Sequence, residues 1–299
     1  MISAADGVNS RNMATLHAIH RALLTSPEPL PNIEFTLNSD DIAPQHATWS
    51  YARLAEHTNS WLMPDFGYFS WPEPKIGSYS EVQKKAAEMD KKTTWKQKTS
   101  KLVWRGAVMG LKTREDLLRV SEGKAWADIK VLDWAKDSKG ESHDLITMDQ
   151  HCRYKYVAHT EGVSYSARLQ NLQNCRSVIV AHHLKWIQHH THLMKSSGPD
   201  QNFIEVNEDF SNLDETMTSL MQKEKDAEVE KIADNTVKTF REHYLTPAAE
   251  TCYWRKLVRG WASVSPEPEF YEKKDGKQVW RGVPVESYFL TGRVEWDLH

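Results

Sequence analysis

Hydrophobic positions along the chain fall into two patterns, short strand-like runs and helical spacings. Met13, Leu16, Ile19 and Leu23 recur at helical spacing and predict an amphipathic helix over 9–24. Short apolar runs predict strands at 33–37, 101–105, 128–132, 154–159, 177–181 and 203–206. Further helices are predicted at 79–98, 113–120, 166–174, 211–220, 222–244 and 248–261. Strands that alternate with helices indicate an α/β fold.

The stretch from Tyr154 to Val180 has the order strand, tight turn, helix and strand, which is a βαβ unit. Its turn, Glu161 to Ser166, is small and polar and contains Gly162. A helix that begins at the carboxyl end of a strand offers N–H groups and a positive dipole end to an anion. Arg168 could add a bidentate grip on phosphate. An ordinary βα turn with a surface arginine fits the pattern slightly better, because one glycine is weak evidence for phosphate binding.

A second strand–loop–helix unit begins at Lys101. Its loop runs from Gly106 to Gly110, and Thr113 is the predicted N-cap of the next helix. Arg105 and Arg114 flank this loop. Two guanidinium groups beside a helix terminus suit a diphosphate.

Acidic residues follow the first predicted strand, which ends in Asn38-Ser39-Asp40-Asp41. Enzymes with α/β folds often place catalytic groups at the ends of strands. A capped turn before Pro44 explains the same residues equally well.

Two other segments have alternative explanations. Prolines and glycines exclude a helix over 61–77, whose aromatic residues either form a pocket wall or pack as a surface loop with a small core of its own. Residues 182–192 contain five histidines, but no carboxylate or cysteine joins them at the usual ligand spacing, so we predict no metal site.

Composition narrows the class of protein. The 299 residues suffice for one large domain or two medium ones, and a formal net charge of -3 provides no basic field for nucleic acid. No apolar run reaches the roughly 18 residues of a membrane span. The N-terminal residues lack the pattern of a signal peptide. Twelve tryptophans fit a polyhydroxylated ligand, although a large core is the commoner reason.

Several motifs, taken in order and spacing from Ile33 to Ala262, resemble glycosyltransferase family 90. That family includes animal protein O-glucosyltransferases and fungal capsule-associated xylosyltransferases, and the aromatic loop and long tail are most similar to the fungal branch. The motifs are Leu37-Asn38-Ser39-Asp40-Asp41, Pro64-Asp65-Phe66-Gly67-Tyr68-Phe69-Ser70-Trp71-Pro72, Val103-Trp104-Arg105-Gly106, Thr113-Arg114, Cys152-Arg153-Tyr154-Lys155-Tyr156, Glu161-Gly162-Val163-Ser164-Tyr165-Ser166-Ala167-Arg168, Cys175, Trp186 and Cys252-Tyr253-Trp254.

The resemblance implies a GT-B-like pair of Rossmann-type domains, of which the N-terminal one is shortened. The implied divisions are a partial acceptor-side domain (1–94), a UDP-sugar-binding domain (95–245), a crossing helix (246–262) and an extended tail (263–299). Within the tail, Asp275-Gly276 predicts a hairpin.

The resemblance also implies the site. The donor would be a UDP-sugar bound without metal or other cofactor, with its diphosphate neutralised by arginines. The matching residues are Arg105, Gly106, Arg114, Gly162, Val163, Ser164, Tyr165, Ser166 and Arg168. Asp40 best matches the catalytic base, with Asp41 as the alternative, and Ser39 stands where animal members have arginine. When one carboxylate acts as the base for direct attack, the anomeric centre is inverted. A retaining double displacement needs a second carboxylate as nucleophile, and the sequence offers no candidate for it.

The cysteines have implied roles as well. Cys152 and Cys175 match a disulfide of the family, which implies a secretory-pathway lumen (Golgi or ER). Cys252 matches a cysteine whose partner lies in a more N-terminal segment, which this chain is expected to lack together with the membrane anchor.

Two functions follow as hypotheses. The first is an inverting transferase that moves xylose or glucose from a UDP-sugar to a hydroxyl of a glycan or protein. The second is a non-catalytic glycan-binding or scaffold protein that has kept the fold. A nucleotide-dependent dehydrogenase fits less well, because the chain has no G-x-G-x-x-G loop.

Overall fold

The computed structural model describes residues 2, 10–42, 46–72, 74, 76–133 and 144–294. The strands are β1 (Leu37–Asn38), β2 (Thr48–Ser50), β3 (Ala52–Arg53), β4 (Ser60–Leu62), β5 (Ser70–Trp71), β6 (Gly77–Ser78), β7 (Thr99–Gly106), β8 (Ala127–Val131), β9 (Tyr154–His159), β10 (Val178–His182), β11 (Ile187–Gln188), β12 (Ile204–Val206), β13 (Tyr271–Lys274) and β14 (Lys277–Trp280).

The helices among these residues are α1 (Ser10–Leu24), α2 (Tyr79–Lys92), α3 (Lys112–Ser121), α4 (Met148–His151), α5 (Arg168–Leu172), α6 (Leu213–Leu220), α7 (Asp226–Thr239), α8 (Pro247–Ala262) and α9 (Val285–Thr291). Short 3-10 turns lie at Phe66–Tyr68, Trp95–Gln97, Thr191–Leu193 and Lys223–Lys225, and a π-helical turn spans Phe240–Tyr244. No helix of the described residues has the length and apolar composition needed to cross a membrane.

A five-stranded sheet dominates the molecule, with the strand order β12-β10-β9-β7-β8 and every neighbouring pair parallel. The chain leaves β7 outward to β8 and then returns to β9 on the other side of β7. The order of strands therefore reverses between β7 and β9. In open α/β sheets, ligands bind in the crevice at such a switch point, outside the carboxyl ends of the strands.

Both faces of this sheet are covered, as expected of parallel strands rich in apolar residues. Alternate residues of β7 pack on opposite faces: Leu102 and Trp104 lie in one core with α6 and α7, and Val103 lies in the other with α5. Both cores are fully buried at their centres. This packing fixes where the two loops after β7 and β9 emerge.

The N-terminal segment packs around tryptophans. Its small parallel sheet, β1-β2-β4, and helix α1 form one core with α8, centred on Trp49, Trp254 and Trp261. Helix α8 thus returns from the C-terminal side to pack against α1. The mixed α/β class is confirmed, while the pairing of two Rossmann-type domains and the division at residue 94 stay predictions.

Most predicted elements are present with shifted ends. The strand predicted over 33–37 is reduced to the short strand β1. Ile33 and Phe35 pack into the N-terminal core. The carbonyl of Glu34 accepts a hydrogen bond from the indole N–H of Trp261 (2.7 Å) and not from a neighbouring strand. Helix α3 begins one residue before Thr113, so the predicted N-cap is wrong. The helix predicted over 222–244 ends at Thr239, before the π-helical turn.

The tail differs from the extended appendage that we predicted. The hairpin at Asp275-Gly276 is confirmed by the pair β13–β14, but α9 follows it. Helix α9 buries Tyr288, and Val283 bridges to Ile2. Most of the polar linker predicted over 135–144 lies outside the described residues.

The implied disulfide joins Cys152 and Cys175, with a Cα–Cα distance of 4.8 Å. Cys152 precedes β9 and Cys175 precedes β10, so the bond holds the amino edge of the sheet, opposite to the edge where the 161–166 turn lies. Cys252 is exposed and unbonded.

Candidate active site

The loops that follow β7 and β9 meet at the switch point of the sheet. Gly106 ends β7, and a Cβ added there would lie 3.0 Å from Nη2 of Arg168 and 2.8 Å from the Trp104 ring. On the other side, a Cβ on Gly162 would lie 3.5 Å from Nη2 of Arg114. The two loops and the two arginines therefore form one cluster, as the sequence predicts for Gly106, Arg114, Gly162 and Arg168.

Arg168 is the central side chain of this cluster. Its guanidinium carbon lies 5.7 Å from the centre of the Trp104 ring, a cation–π distance. The residue is half-buried, and its Nη1 is fully buried without a hydrogen-bond partner. Burial, together with the nearby charge of Arg114, lowers the pKa of Arg168 to about 10. A buried cation without an acceptor is unfavourable unless a ligand supplies one.

Arg114 lies beside it on α3 and is also buried. Its Nε donates to the carbonyl of Glu161 (3.2 Å) and its Nη1 donates to the carbonyl of Ala107 (2.7 Å), so the side chain bridges the two loops. Burial lowers its pKa. Within the described residues, neither Arg114 nor Arg168 forms an ion pair with a carboxylate.

The loop from Gly162 to Ser166 lies against these arginines. The N–H of Gly162 donates to the carbonyl of Ser164 (2.9 Å), and Val163 is exposed at the tip. The Oγ of Ser164 is buried without a hydrogen-bond partner. Tyr165 turns inward and packs in the N-terminal core, whereas Ser166 is only partly buried.

The helix after this loop is shorter than predicted. It spans only Arg168–Leu172, and its flanking residues Ala167 and Gln173 are turns. A helix this short has a small dipole, so the two guanidinium groups contribute most of the positive potential.

Arg105 lies outside the cluster. Its guanidinium forms an ion pair with Asp128 (2.9 Å) and also donates to the carbonyls of Trp104, Asp128 and Asp144. Two of the four acceptor atoms belong to Asp128 of β8, the strand paired with β7. Arg105 therefore fixes β8 beside β7, and its geometry gives no support to the predicted contact with a diphosphate.

The structure distinguishes between the two candidate bases. Asp41 forms an ion pair with Arg11 of α1 at 2.8 Å. Asp40 is exposed, and among the described residues its carboxylate accepts no hydrogen bond. Arg11 also donates to the carbonyl of Ser39, which anchors this loop to α1. A carboxylate with free acceptor oxygens suits a base better than one already paired.

The loop of Asp40 and the loop of Tyr165 converge on Tyr51. The Tyr51 hydroxyl donates to the carbonyl of Arg11 (3.5 Å), and the Arg11 side chain in turn holds the Asp40 loop at Ser39 and Asp41. The Tyr51 and Tyr165 rings are 6.4 Å apart between centroids. The predicted base and the predicted anion loop thus approach the same part of the N-terminal core.

Two contributors were not assigned from the sequence. The ring of Trp104 packs against the guanidinium of Arg168. In the sequence, the Trp104-Arg105-Gly106 motif was the signal that could have indicated a role for this tryptophan. The carboxylate of Glu161 accepts hydrogen bonds from the N–H groups of Lys185 (3.1 Å) and Trp186 (2.8 Å), which ties the loop after β10 to the site. Burial raises the pKa of Glu161 to about 7.

The buried histidines near the site are not grouped as metal ligands. Burial lowers the pKa of His159, and smaller contributions come from His182, Arg168 and Arg114. Over the described part of the chain, no three His, Cys, Asp or Glu side chains are arranged to hold a metal ion.

The close fit around Gly106 gives a first test of the cluster. In Gly106→Ala, the new methyl group would displace the guanidinium of Arg168 or the Trp104 ring. For UDP, the ligand that the sequence predicts, we expect the dissociation constant to rise by about tenfold, the effect of losing one charge-assisted hydrogen bond. Isothermal titration measures this. Gly260→Ala is the matched control, because its Cβ would lie 3.4 Å from the Trp61 ring, an ordinary van der Waals contact. Unchanged UDP binding in both variants would contradict a role of the Gly106–Arg168 contact in binding.

Comparison with known proteins identifies the family. Residues 4–274 match the model described as glycosyl transferase family 90. The chain belongs to this family. Membership of this family supports sugar transfer as the general activity.

Among curated proteins, the family relatives are distant. Human "Protein O-glucosyltransferase 1" is 25% identical over 257 residues, covering 77% of this chain and 62% of the relative. "O-glucosyltransferase rumi" of Drosophila melanogaster is 22% identical over 274 residues, covering 84% and 65%. The chain thus spans just under two thirds of the length of these relatives.

Among solved structures, one similar chain is the C-terminal domain of a glycosyl transferase group 1 family protein from Francisella tularensis. It is 11% identical, and the match covers 60% of this chain and 96% of that one with a TM-score of 0.31. A score this low does not establish a shared fold.

Proposed function

We propose that the chain is a glycosyltransferase that moves glucose or xylose from a UDP-sugar to a hydroxyl of a glycan or protein. Membership of glycosyl transferase family 90 supports sugar transfer in general. The relatives named above are O-glucosyltransferases, which favours glucose as the sugar and a protein hydroxyl as the acceptor.

The observation that carries this proposal is the pair of guanidinium groups at the switch point. A departing UDP gains negative charge as the glycosidic bond breaks, and preorganised cations stabilise that charge best where water is excluded. Arg168 has a buried and unpartnered Nη1, and Arg114 is held by two carbonyls. In this proposal, both guanidinium groups bind the diphosphate. The Ser164 hydroxyl, also unpartnered, supplies a further hydrogen-bond donor.

Asp40 would act as the general base. An acceptor hydroxyl is a weak nucleophile at neutral pH, so a carboxylate must remove its proton as the new bond forms. Because Asp41 is paired with Arg11, Asp40 is the better base of the two. Direct attack assisted by one carboxylate inverts the anomeric centre.

The disulfide indicates in which cellular compartment the proposed reaction takes place. Disulfides persist in oxidising environments such as the secretory pathway. The bond between Cys152 and Cys175 is therefore consistent with residence in a secretory lumen.

A donor screen tests the proposed function. Purified protein is incubated with UDP-glucose, UDP-xylose or UDP-galactose, with and without EDTA, and released UDP is measured. We expect slow release from glucose or xylose donors that EDTA does not reduce. Binding of UDP without release from any donor, even with peptide and glycan acceptors present, would instead favour a non-catalytic binding protein.

A further inference from the structure

Asp65 is a buried carboxylate in the N-terminal core, only 3% exposed. It caps the turn Phe66–Tyr68 by accepting a hydrogen bond from the N–H of Gly67 at 2.7 Å. Burial raises its pKa, and hydrogen bonds from Tyr165, Gly67 and Gln170 act in the opposite direction. In the described part of the chain no arginine, lysine or histidine forms an ion pair with it. A buried carboxylate is tolerated when hydrogen bonds surround it in this way.

Two of these donors, Tyr165 and Gln170, belong to the segment that follows β9. The hydroxyl of Tyr165 donates to Oδ2 of Asp65, and Nε2 of Gln170 donates to Oδ1 at 3.0 Å. Tyr165 precedes Arg168 by three residues and Gln170 follows it by two. One carboxylate therefore holds the chain on both sides of Arg168.

The junction is fitted closely as well as hydrogen-bonded. A Cβ added at Gly67 would lie 2.3 Å from Nε2 of Gln170 and 2.7 Å from Oδ1 of Asp65. Only glycine leaves room for Gln170 to reach the carboxylate. Tyr165 and Ala167 pack in the same N-terminal core, so the whole segment before Arg168 is anchored there.

A second contact holds the end of α5. The hydroxyl of Tyr79, which begins α2, donates to the carbonyl of Gln170 at 3.2 Å. The amide of Asn174 donates to the same hydroxyl (3.2 Å) and to the same carbonyl (3.0 Å). The backbone of Gln170 is thereby fixed, which leaves its side chain directed at Asp65.

We propose that Asp65 is a positioning residue for Arg168, acting through Tyr165 and Gln170. It contacts no substrate; it sets where the guanidinium stands before a ligand arrives. An apolar junction of the same size would stabilise the core equally well, whereas a carboxylate accepting directed bonds specifies one arrangement of the loop. The functional consequence rests on the proposed binding of a UDP-sugar.

The first measurement uses the protein without ligand. Hydrogen exchange followed by mass spectrometry compares wild type, Asp65→Asn and Tyr165→Phe. We expect faster exchange in the peptide covering 162–172 of both variants, with the sheet strands β7 and β10 unchanged. Tyr253→Phe is the matched control, because it also removes a partly buried tyrosine hydroxyl. That hydroxyl donates to the carbonyl of Leu62 in β4 (2.9 Å) and not to the 162–172 segment.

The second measurement is the dissociation constant for UDP of the same variants. We expect a rise of about tenfold for Asp65→Asn and Tyr165→Phe, because a misplaced guanidinium loses one charge-assisted hydrogen bond to phosphate. Gly67→Ala should give the same rise without changing any charged or hydroxyl group. Tyr253→Phe should bind UDP as wild type does, even if its melting temperature falls equally.

The outcomes separate this proposal from the proposed function. Unchanged exchange over 162–172 in Tyr165→Phe, or equal loss of UDP binding in Tyr253→Phe, overturns the positioning role. If both variants exchange faster but the wild-type protein does not bind UDP, the positioning role is supported and the proposed UDP-sugar donor is contradicted. Tyr165→Phe keeps the test decisive if Asp65→Asn fails to fold, because it removes only one hydroxyl.

Discussion

Replacing Arg168 with methionine should weaken UDP binding by roughly a hundredfold, the loss expected for a bidentate guanidinium contact with phosphate. The melting temperature should not fall. Burial and Arg114 lower the pKa of Arg168 to about 10, so at neutral pH its charged form is less favourable in the folded protein than in the unfolded chain. Methionine keeps the contact with Trp104 and removes that unfavourable charge. Titration calorimetry and thermal unfolding of the same samples measure both effects.

Arg119 provides the control for this variant. It lies on α3 like Arg114, is 64% exposed in its side chain and is paired with Asp116 at 3.0 Å. Arg119→Met removes the same charge from the protein without touching the cluster, so UDP binding should stay within about twofold of wild type. If both variants bind UDP equally, the cluster around Arg168 is not the diphosphate site.

Replacing Asp40 with asparagine should leave UDP binding intact and lower sugar transfer by at least about a hundredfold, the usual contribution of a general base. Asparagine keeps the size and the hydrogen-bonding oxygen but cannot take a proton from the acceptor hydroxyl. The effect should appear in kcat, because a general base acts in the transition state and not in donor binding. Transfer assays with the donor found active in the screen give kcat and KM separately.

The neighbouring aspartate distinguishes the two candidate bases. Asp41→Asn weakens the ion pair with Arg11 and should change transfer by less than about threefold, since exposed ion pairs contribute little. Retained transfer in Asp40→Asn with loss in Asp41→Asn would assign the base to Asp41. Loss in neither variant would place the base elsewhere.

Local pattern predicted the elements whose apolar spacing is visible in consecutive residues. The strands over 101–105 and 154–159 and the helix over 9–24 were found in this way, although their packing partners lie far away in the chain. The order of the strands was not predictable, since the reversal between β7 and β9 depends on how distant strands pair. That reversal is what places Gly106 beside Arg168 and Gly162 beside Arg114.

The candidate site shows where sequence reasoning stops. The sequence does not distinguish among the three arginines at positions 105, 114 and 168. The structure shows that Arg105 forms an ion pair with Asp128, whereas Arg168 has no carboxylate partner among the described residues. Asp65 was visible in the Pro64-Asp65-Phe66-Gly67 motif, but its partners lie about a hundred residues later in the chain. Neither distinction follows from periodicity or composition.

Comparing UDP with uridine is the most direct test of the central proposal, which is that Arg114 and Arg168 bind a diphosphate. Titration calorimetry of the wild-type protein with each ligand isolates the diphosphate contribution, because the two ligands share the nucleoside. We expect UDP to bind at least about a hundredfold more tightly than uridine, as charge-assisted hydrogen bonds to phosphate imply. Equal affinity for the two ligands, or no binding of UDP, would contradict it.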